Sequence, residues 1–235
     1  MHVLLTRPLD DSIDLIKRLK DKGFTVSHLP LIKINKLDNH KLNSSEYKVI
    51  IFTSSNAIRN LNTKDFDKKS LCFCVGDATE KTAKQKGFYN TFSAGGNVKN
   101  LQELILQNLE KKTEKILYVS GELVSYDLDK DLKLSGFKIK KIINYTSRKI
   151  TNLNSESLDL IKKYPPDITL IYSKRSAESF DEIARKYSLS ELMTQCTVMC
   201  ISKKIEEFLK SKGWKKTETF NPGEELLKIE QIKNG

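Results

Sequence analysis

Apolar, β-prone runs that stop at hydroxyl residues recur along this chain, each followed by a helix-compatible stretch. Ile50-Ile51-Phe52 runs into Thr53-Ser54-Ser55-Asn56 and then Ala57-Ile58. Much later, Leu170-Ile171-Tyr172 runs into Ser173-Lys174-Arg175-Ser176 and then Ala177. The pattern predicts a buried strand, a tight turn and a helix. In an open parallel α/β sheet such turns line the crevice at the carboxyl ends of the strands, where ligands bind. The free backbone N–H groups that open a helix suit an anion.

Taken in order, Val3-Leu4-Leu5-Thr6 predicts a first strand. Leu9, Ile13, Ile16 and Leu19 predict a helix capped by Asp10 or Asp11 and stopped at Gly23. A second strand starts at Phe24, Leu31–Ile34 is extended, and the polar residues 35–46 form a connection. The helix after Thr53 runs to about Leu61. Leu71–Gly76 reads as strand and turn, Asp77 to Gly87 as helix, Phe88–Phe92 as a short strand, and Val98 to Leu109 as a helical stripe. Lys115–Gly121 is again strand and turn, Tyr126–Leu134 helix, and Phe137–Tyr145 extended. Residues 149–157 are a polar bridge, followed by a short helix that Pro165-Pro166 ends. The rest alternates strand and helix: a strand at Ile168–Tyr172, a helix carrying Phe180 and Ile183, a strand at Thr197–Ile201, a helix stopped by Gly213, a strand at Lys215–Phe220 and a last helix.

Three blocks occur twice, in the same order. Gly23-Phe24 returns as Gly136-Phe137, an offset of 113 (136 − 23), which also lays Val3-Leu4-Leu5 on Ile116-Leu117-Tyr118. Ser54 returns as Ser173, an offset of 119 (173 − 54). Cys74 returns as Cys200, and Lys86-Gly87-Phe88 as Lys212-Gly213-Trp214, both at 126 (200 − 74; 212 − 86). Loop insertions produce such small increases between blocks. Each half then suits a five-stranded parallel sheet with helices on both faces, and two such domains leave a cleft, a common ligand site. Periodicity leaves open whether the halves are tandem or exchange their first blocks. If the chain crosses between domains and returns, Leu31–Ile34 and Ile142–Thr146 would pair as a two-stranded connector.

The 235 residues fit one large or two small α/β domains, and 38% hydrophobic with 30% charged residues fits a globular chain. No apolar run approaches the roughly 20 residues that span a bilayer. The start has no basic region before its short apolar run and reads as a strand rather than a signal peptide, so a cytoplasmic location is expected. The net charge of +11 attracts polyanions, whether nucleic acid, anionic lipid or a polycarboxylate. The basic residues are scattered and form no nucleic-acid arm. Cys72 and Cys74 share one face of a strand, and Cys196 and Cys200 flank another apolar run. With no metal-ligand spacing and no histidine nearby, they read as small buried core residues. His2, His28 and His40 form no motif.

There is no G-x-G-x-x-G, Walker loop, H-E-x-x-H or G-x-S-x-G. What recurs is small hydroxyl residues at strand-to-helix turns: Thr6; Thr53-Ser54-Ser55; Gly76-Asp77-Ala78-Thr79; Ser120-Gly121; Ser173-Lys174-Arg175-Ser176; Ser202-Lys203-Lys204. Singly each is a helix cap. Together, at the ends of two sheets, they form a surface of N–H and O–H donors that fits a large, flexible polycarboxylate. Tyr145 departs from the repeat, its partner being Ile32 (145 − 113). It is either a connector packing residue or a phenol able to donate a hydrogen bond or a proton.

The chain resembles the uroporphyrinogen-III synthase family over nearly its whole length. The markers are Leu5-Thr6-Arg7-Pro8, Ile51-Phe52-Thr53-Ser54-Ser55-Asn56-Ala57, Cys74-Val75-Gly76-Asp77-Ala78-Thr79, Leu117-Tyr118-Val119-Ser120-Gly121, Gly136-Phe137, Tyr145 and Ile171-Tyr172-Ser173. The resemblance implies two similar flavodoxin-like α/β domains with parallel sheets, joined by a two-stranded β-ladder. Residues 1–34 with 148–235 would form one domain and 35–147 the other, with connector strands near 31–34 and 142–146. It implies a lyase that takes hydroxymethylbilane, loses water, inverts the terminal pyrrole ring and closes the macrocycle to uroporphyrinogen III through a spirocyclic intermediate. It implies no metal or organic cofactor.

Tyr145 matches the family's tyrosine proposed to assist hydroxyl departure, and Thr79, Ser54 and Ser173 match its cleft hydroxyls. The candidate substrate-binding set is Thr6, Arg7, Thr53, Ser54, Ser55, Asn56, Gly76, Thr79, Ser120, Gly121, Ser173, Lys174, Ser202 and Lys203. The last turn of the family usually begins with Gly and carries Thr; here it reads Ser202-Lys203-Lys204-Ile205, where a lysine would meet a carboxylate instead. The expected partner is the linear tetrapyrrole alone, met by a monomer, with neither nucleic acid nor membrane involved. The alternatives are a non-catalytic two-domain binder of an anionic small molecule and, on charge alone, a nucleic-acid binder.

Overall fold

A computed structural model describes residues 1–38, 42–110 and 115–234; His40 and part of the 35–46 connection lie outside the described residues. The chain begins β1 (His2–Leu5), α1 (Leu9–Asp21), β2 (Thr25–His28), β3 (Ile32–Lys36), β4 (Val49–Phe52), α2 (Ser55–Arg59) and β5 (Leu71–Cys74). It continues α3 (Asp77–Gln85), β6 (Thr91–Ser93), α4 (Val98–Asn108), β7 (Lys115–Gly121), α5 (Leu128–Leu134) and β8 (Lys138–Lys149). It ends α6 (Ser155–Lys163), β9 (Ile168–Ile171), α7 (Lys174–Lys186), β10 (Thr197–Cys200), α8 (Lys203–Ser211), β11 (Thr217–Thr219) and α9 (Glu225–Asn234). Two compact units result: Met1–Lys33 with Arg148–Gly235, and Ile34–Ser147.

The first unit carries a parallel sheet in the order β2-β1-β9-β10-β11. Counted along its own strands this is 2-1-3-4-5, the flavodoxin-like order. The second unit's sheet runs β3-β8-β7-β4-β5-β6. From β8 to β6 its strands are parallel, and they follow the same order once β7 is counted first.

The sequence offsets reappear as cross-strand register. His2 pairs with Thr25, and Lys115 with Lys138, both shifted by 113 (115 − 2; 138 − 25). Val3 pairs with Ile168, and Ile116 with Val49, joining 113 on one strand to 119 on the other (116 − 3; 168 − 49). Val198 pairs with Thr169, and Cys72 with Ile50, joining 126 to 119 (198 − 72; 169 − 50). Matched residues therefore occupy matched places in two sheets.

Both faces of each sheet are covered, which is why the central strands are continuously apolar rather than alternating. Val49 to Phe52 are all fully buried. In the first unit one face packs Phe180, Ile183, Leu209 and Trp214, the other Leu19, Phe24, Leu226 and Ile229. In the second unit the two faces gather around Ile58, Phe66 and Phe88, and around Leu101, Ile105 and Leu132.

The repeated Gly-aromatic pairs are helix ends. Gly87 takes φ +90° and donates to Lys84 O, while Phe88 N–H reaches back to Ala83 O. Gly213 and Trp214 do the same with Lys210 and Leu209. Only glycine adopts that φ without a Cβ penalty, and the following aromatic is carried into the core. Phe88 thus belongs to the helix stop, and the strand expected over Phe88–Phe92 is displaced to Thr91–Ser93.

The first helix also differs from expectation. Pro8 is its N-cap, and Asp10 and Asp11 sit in the first turn, where their charge faces the positive end of the helix dipole. Its inward face is Ser12, Leu15, Ile16 and Leu19, leaving Leu9 and Ile13 exposed. Helix α2 stops at Arg59, short of Leu61, and β8 runs on past Tyr145 to Lys149.

Candidate functional site

The second unit's parallel strands end together at one edge of its sheet. Tyr118, opposite Ile51, lies diagonal to Thr53 on the same face, and their hydroxyls meet at 3.2 Å. Burial pushes the Tyr118 phenol above its ordinary pKa, against the lowering effect of the Thr53 bond. Ser54 caps α2, accepting from Asn56 N–H at 3.1 Å, and Ser55 donates to Ala78 O at 3.2 Å. Asn56 accepts from Arg59 at 3.3 Å through its side chain.

At the end of β5, Gly76 is the N-cap of α3 with extended backbone (φ −169°). A Cβ there would come within 3.1 Å of Gly96 Cα, so a side chain at this position would crowd the loop after β6. Thr79 follows in the first turn of α3, 5% exposed.

Tyr145 reaches this edge through a bulge. Ser120 pairs with Ile143 but Gly121 with Tyr145, so Asn144 is the extra residue of β8. A bulge breaks the in–out alternation and re-aims the side chain that follows. Asn144 is fully buried; its Nδ2 donates to Ala57 O at 2.6 Å, while its Oδ1 has no partner among the described residues. Beyond the bulge the Tyr145 ring lies against Gly121, whose ideal Cβ would be 2.6 Å from Tyr145 Cζ. Tyr145 is half-buried, packed beside the apolar cluster of that face. Thr53, Tyr118, Gly121, Ser125, Tyr126 and Tyr145 line a cavity of about 120 Å³. Tyr126 donates to Asp131, a bond that holds its phenol protonated to higher pH.

The first unit arranges its matching edge differently. Thr6 is 1% exposed and donates to Leu170 O at 2.5 Å; Ser120, its neighbour in kind at the end of β7, is fully buried. Each hydroxyl is taken by a backbone carbonyl of the neighbouring strand, Ser120 donating to Ile142 O at 3.5 Å, and neither is presented to solvent. Arg7 stacks over the Tyr172 ring at 4.5 Å, and the Tyr172 phenol donates to Glu225 at 3.4 Å. Burial drives the Tyr172 pKa strongly upward. Ser173 caps α7, accepting from Ser176 N–H at 3.0 Å. Ser202 is the N-cap of α8 without a side-chain bond. Lys174 and Lys203 are exposed in the first turns of their helices.

A more open hollow of about 520 Å³ adjoins this second-unit cavity, sharing Val98, Ser125 and Tyr126 with it, and other hollows lie elsewhere. One of about 390 Å³ beside Trp214 opens at the amino end of β10, and one of about 330 Å³ lies beside Asn60. The four cysteines are free and buried, and burial raises the thiols, to about 12 for Cys74, Cys196 and Cys200. No helix among the described residues is long and apolar enough to cross a membrane.

Sequence reasoning passed over Tyr118 and Asn144. The repeat carried the signal for both, since their counterparts are the buried Leu5 (118 − 113) and Leu31 (144 − 113). Tyr172, whose repeat partner is Thr53 (172 − 119), carried the same kind of signal, and Glu225 gave none.

A parallel α/β scaffold repeated with permuted strand order, its polar turns gathered at the carboxyl ends of the strands, defines a class of two-domain α/β proteins. Solved structures share this fold. Uroporphyrinogen-III synthetase from Helicobacter pylori is similar at a TM-score of 0.64 and 16% identity, covering 100% of this chain and 99% of that one. A mutant uroporphyrinogen III synthase from Thermus thermophilus gives a TM-score of 0.58 at 16% identity, covering 100% and 97%. Comparison with curated proteins finds no match. The sequence model of the family described as uroporphyrinogen-III synthase HemD matches residues 13–224. The chain belongs to the uroporphyrinogen-III synthase family of enzymes.

Proposed function

We propose that this chain is a lyase that converts hydroxymethylbilane into uroporphyrinogen III, with loss of water and inversion of the terminal pyrrole ring. The observation that carries this reading is the bulge that sets Tyr145 against Gly121, beside Thr53 and Tyr118, at the carboxyl edge of a parallel sheet. The pyrrole nitrogen lone pair can expel the terminal hydroxyl and leave an azafulvene. The Tyr145 phenol donates a hydrogen bond or proton to the departing oxygen. The protein's larger task is to hold a flexible chain in the one conformation that closes after inversion, which is catalysis by positioning.

The substrate's acidic side chains match the excess of 41 Lys and Arg over 30 Asp and Glu. They also match the exposed Lys174 and Lys203 at helix starts, where dipole and ammonium act in the same sense. The chemistry calls for no cofactor, because the pyrrole supplies the electrons that break the C–O bond. Chromatography of the product made from hydroxymethylbilane by the purified protein, with no cofactor added, tests this. The type III isomer is expected; only the spontaneous type I isomer would refute it.

A further inference from the structure

The two units compare residue by residue, and the comparison isolates one oxygen. At the fourth position of the first strand in each repeat, one unit carries Leu5 and the other Tyr118 (118 − 5 = 113), each 1% exposed. Leucine satisfies the packing in its unit, so the fold asks only for apolar bulk there. A buried hydroxyl costs free energy unless it is hydrogen-bonded. Among the described residues the Tyr118 phenol is hydrogen-bonded to Thr53 Oγ1, at 3.2 Å. Thr53 in turn departs from its own repeat partner, Tyr172 (172 − 53 = 119). Both changes meet at the cavity that Tyr145 also lines.

A hydroxyl pair has two senses. If Thr53 donates to Tyr118, the threonine has no proton left to offer. If Tyr118 donates to Thr53, the threonine O–H is turned away from the phenol, toward the cavity. Building on the functional reading above, we propose that Tyr118 is a positioning residue: it donates to Thr53 Oγ1 and so aims the Thr53 proton at an oxygen acceptor of the substrate beside Tyr145. Burial keeps the phenol protonated through neutral pH, so the donor is present whenever the enzyme works. Tyr118 acts through Thr53, and Thr53 touches the substrate.

The test is a double-mutant cycle on type III product formation, with Tyr118→Phe, Thr53→Val and the double variant, and with circular dichroism and Tm as checks of folding. Tyr118→Phe removes one oxygen and keeps the ring. Its kcat is expected to fall about tenfold, the worth of one hydrogen bond, with KM little changed. The double variant is expected to be no slower than Thr53→Val alone, and Thr53→Ser, which keeps the hydroxyl, to retain most of the activity. Tyr118→Leu, the residue found at the matching place in the repeat, serves the same comparison if the phenylalanine variant does not fold. Wild-type turnover in Tyr118→Phe, or losses that multiply in the double variant, would overturn the proposal while the wild-type protein still makes type III product. A wild-type protein that makes only the type I isomer would overturn the functional reading, and this proposal with it.

Discussion

The Tyr145 ring occupies the space that a side chain on residue 121 would need. A Cβ built on Gly121 lies 2.6 Å from Tyr145 Cζ, 2.8 Å from Cε2 and 2.9 Å from the phenol oxygen. Gly121 has no left-handed φ, so its missing side chain answers to the tyrosine and not to backbone strain. Gly121→Ala is therefore expected to push the ring away, at a cost of about 1–3 kcal/mol if the ring is held in place. Turnover should drop to the level of a Tyr145 variant or below. In a Tyr145→Ala background the same substitution should have no further effect, and a further loss there would show that Gly121 acts independently.

Tyr145→Phe keeps the ring against Gly121 and removes the proton. The expected outcome is an unchanged fold and a kcat lower by roughly 10²-fold, the lower end of what a positioned acid contributes. Steady-state kinetics with isomer analysis decides the matter; a variant as fast as wild type removes the phenol from the reaction.

Asn144 links the strand that carries Tyr145 to the short helix that Ser54 caps, through Nδ2 to Ala57 O at 2.6 Å. In the other unit Leu31 fills the equivalent place and the matching helix, α7, runs from Lys174 to Lys186. The early stop of α2 leaves Ala57 O in need of a donor, and the amide supplies it. Asn144→Leu leaves the buried Ala57 O without its donor, a cost of about 1–3 kcal/mol that apolar packing and loss of the unpartnered Oδ1 offset in part, so a net destabilisation of about 1 kcal/mol or more is expected. Asn144→Asp should cost roughly 3 kcal/mol or more at neutral pH, because it buries an unpaired charge. Burial raises the folded pKa of such a carboxyl above its unfolded value, so the loss should grow as pH rises through the folded pKa and vanish in acid below the unfolded value. Urea unfolding at several pH values measures both variants.

The buried thiols set an alkaline limit. Burial lifts Cys74, Cys196 and Cys200 from 9.0 to about 12, and Cys72 further still. A folded-state pKa above the unfolded one means that the folded protein holds more protons between those values. Their contribution to stability is complete below pH 9 and is lost as pH rises toward 12. The urea midpoint should therefore decline over that window, and more gently in Cys196→Ala. A thiol reagent should label these residues only as fast as the protein unfolds; rapid labelling of the folded protein would contradict the burial.

Much of this molecule could be read from local pattern. Short apolar runs became strands, and the offsets of 113, 119 and 126 became register pairs such as Val3 with Ile168 and Ile116 with Val49. Gly23, Gly87, Gly136 and Gly213 became left-handed helix stops. The candidate turns were equally visible, yet the residues in them were not equivalent. Ser54 and Ser173 are helix caps at strand ends, while Thr6 and Ser120 are buried and donate to carbonyls of the adjacent strand, a difference that depends on which strand lies alongside.

Spacing, glycine placement and helix caps act over a few residues, so the amino-acid order alone carried them. Strand partnership does not. That β1 and β2 lie with β9 to β11, while β7 and β8 lie with β4 to β6, depends on contacts between residues more than a hundred positions apart in one case and on a permuted order in the other. The bulge at Asn144 likewise has no signature in β8 itself. It arises where β8 meets β7, and it turns Tyr145 from a packing residue in a strand into a phenol at the edge of a cavity.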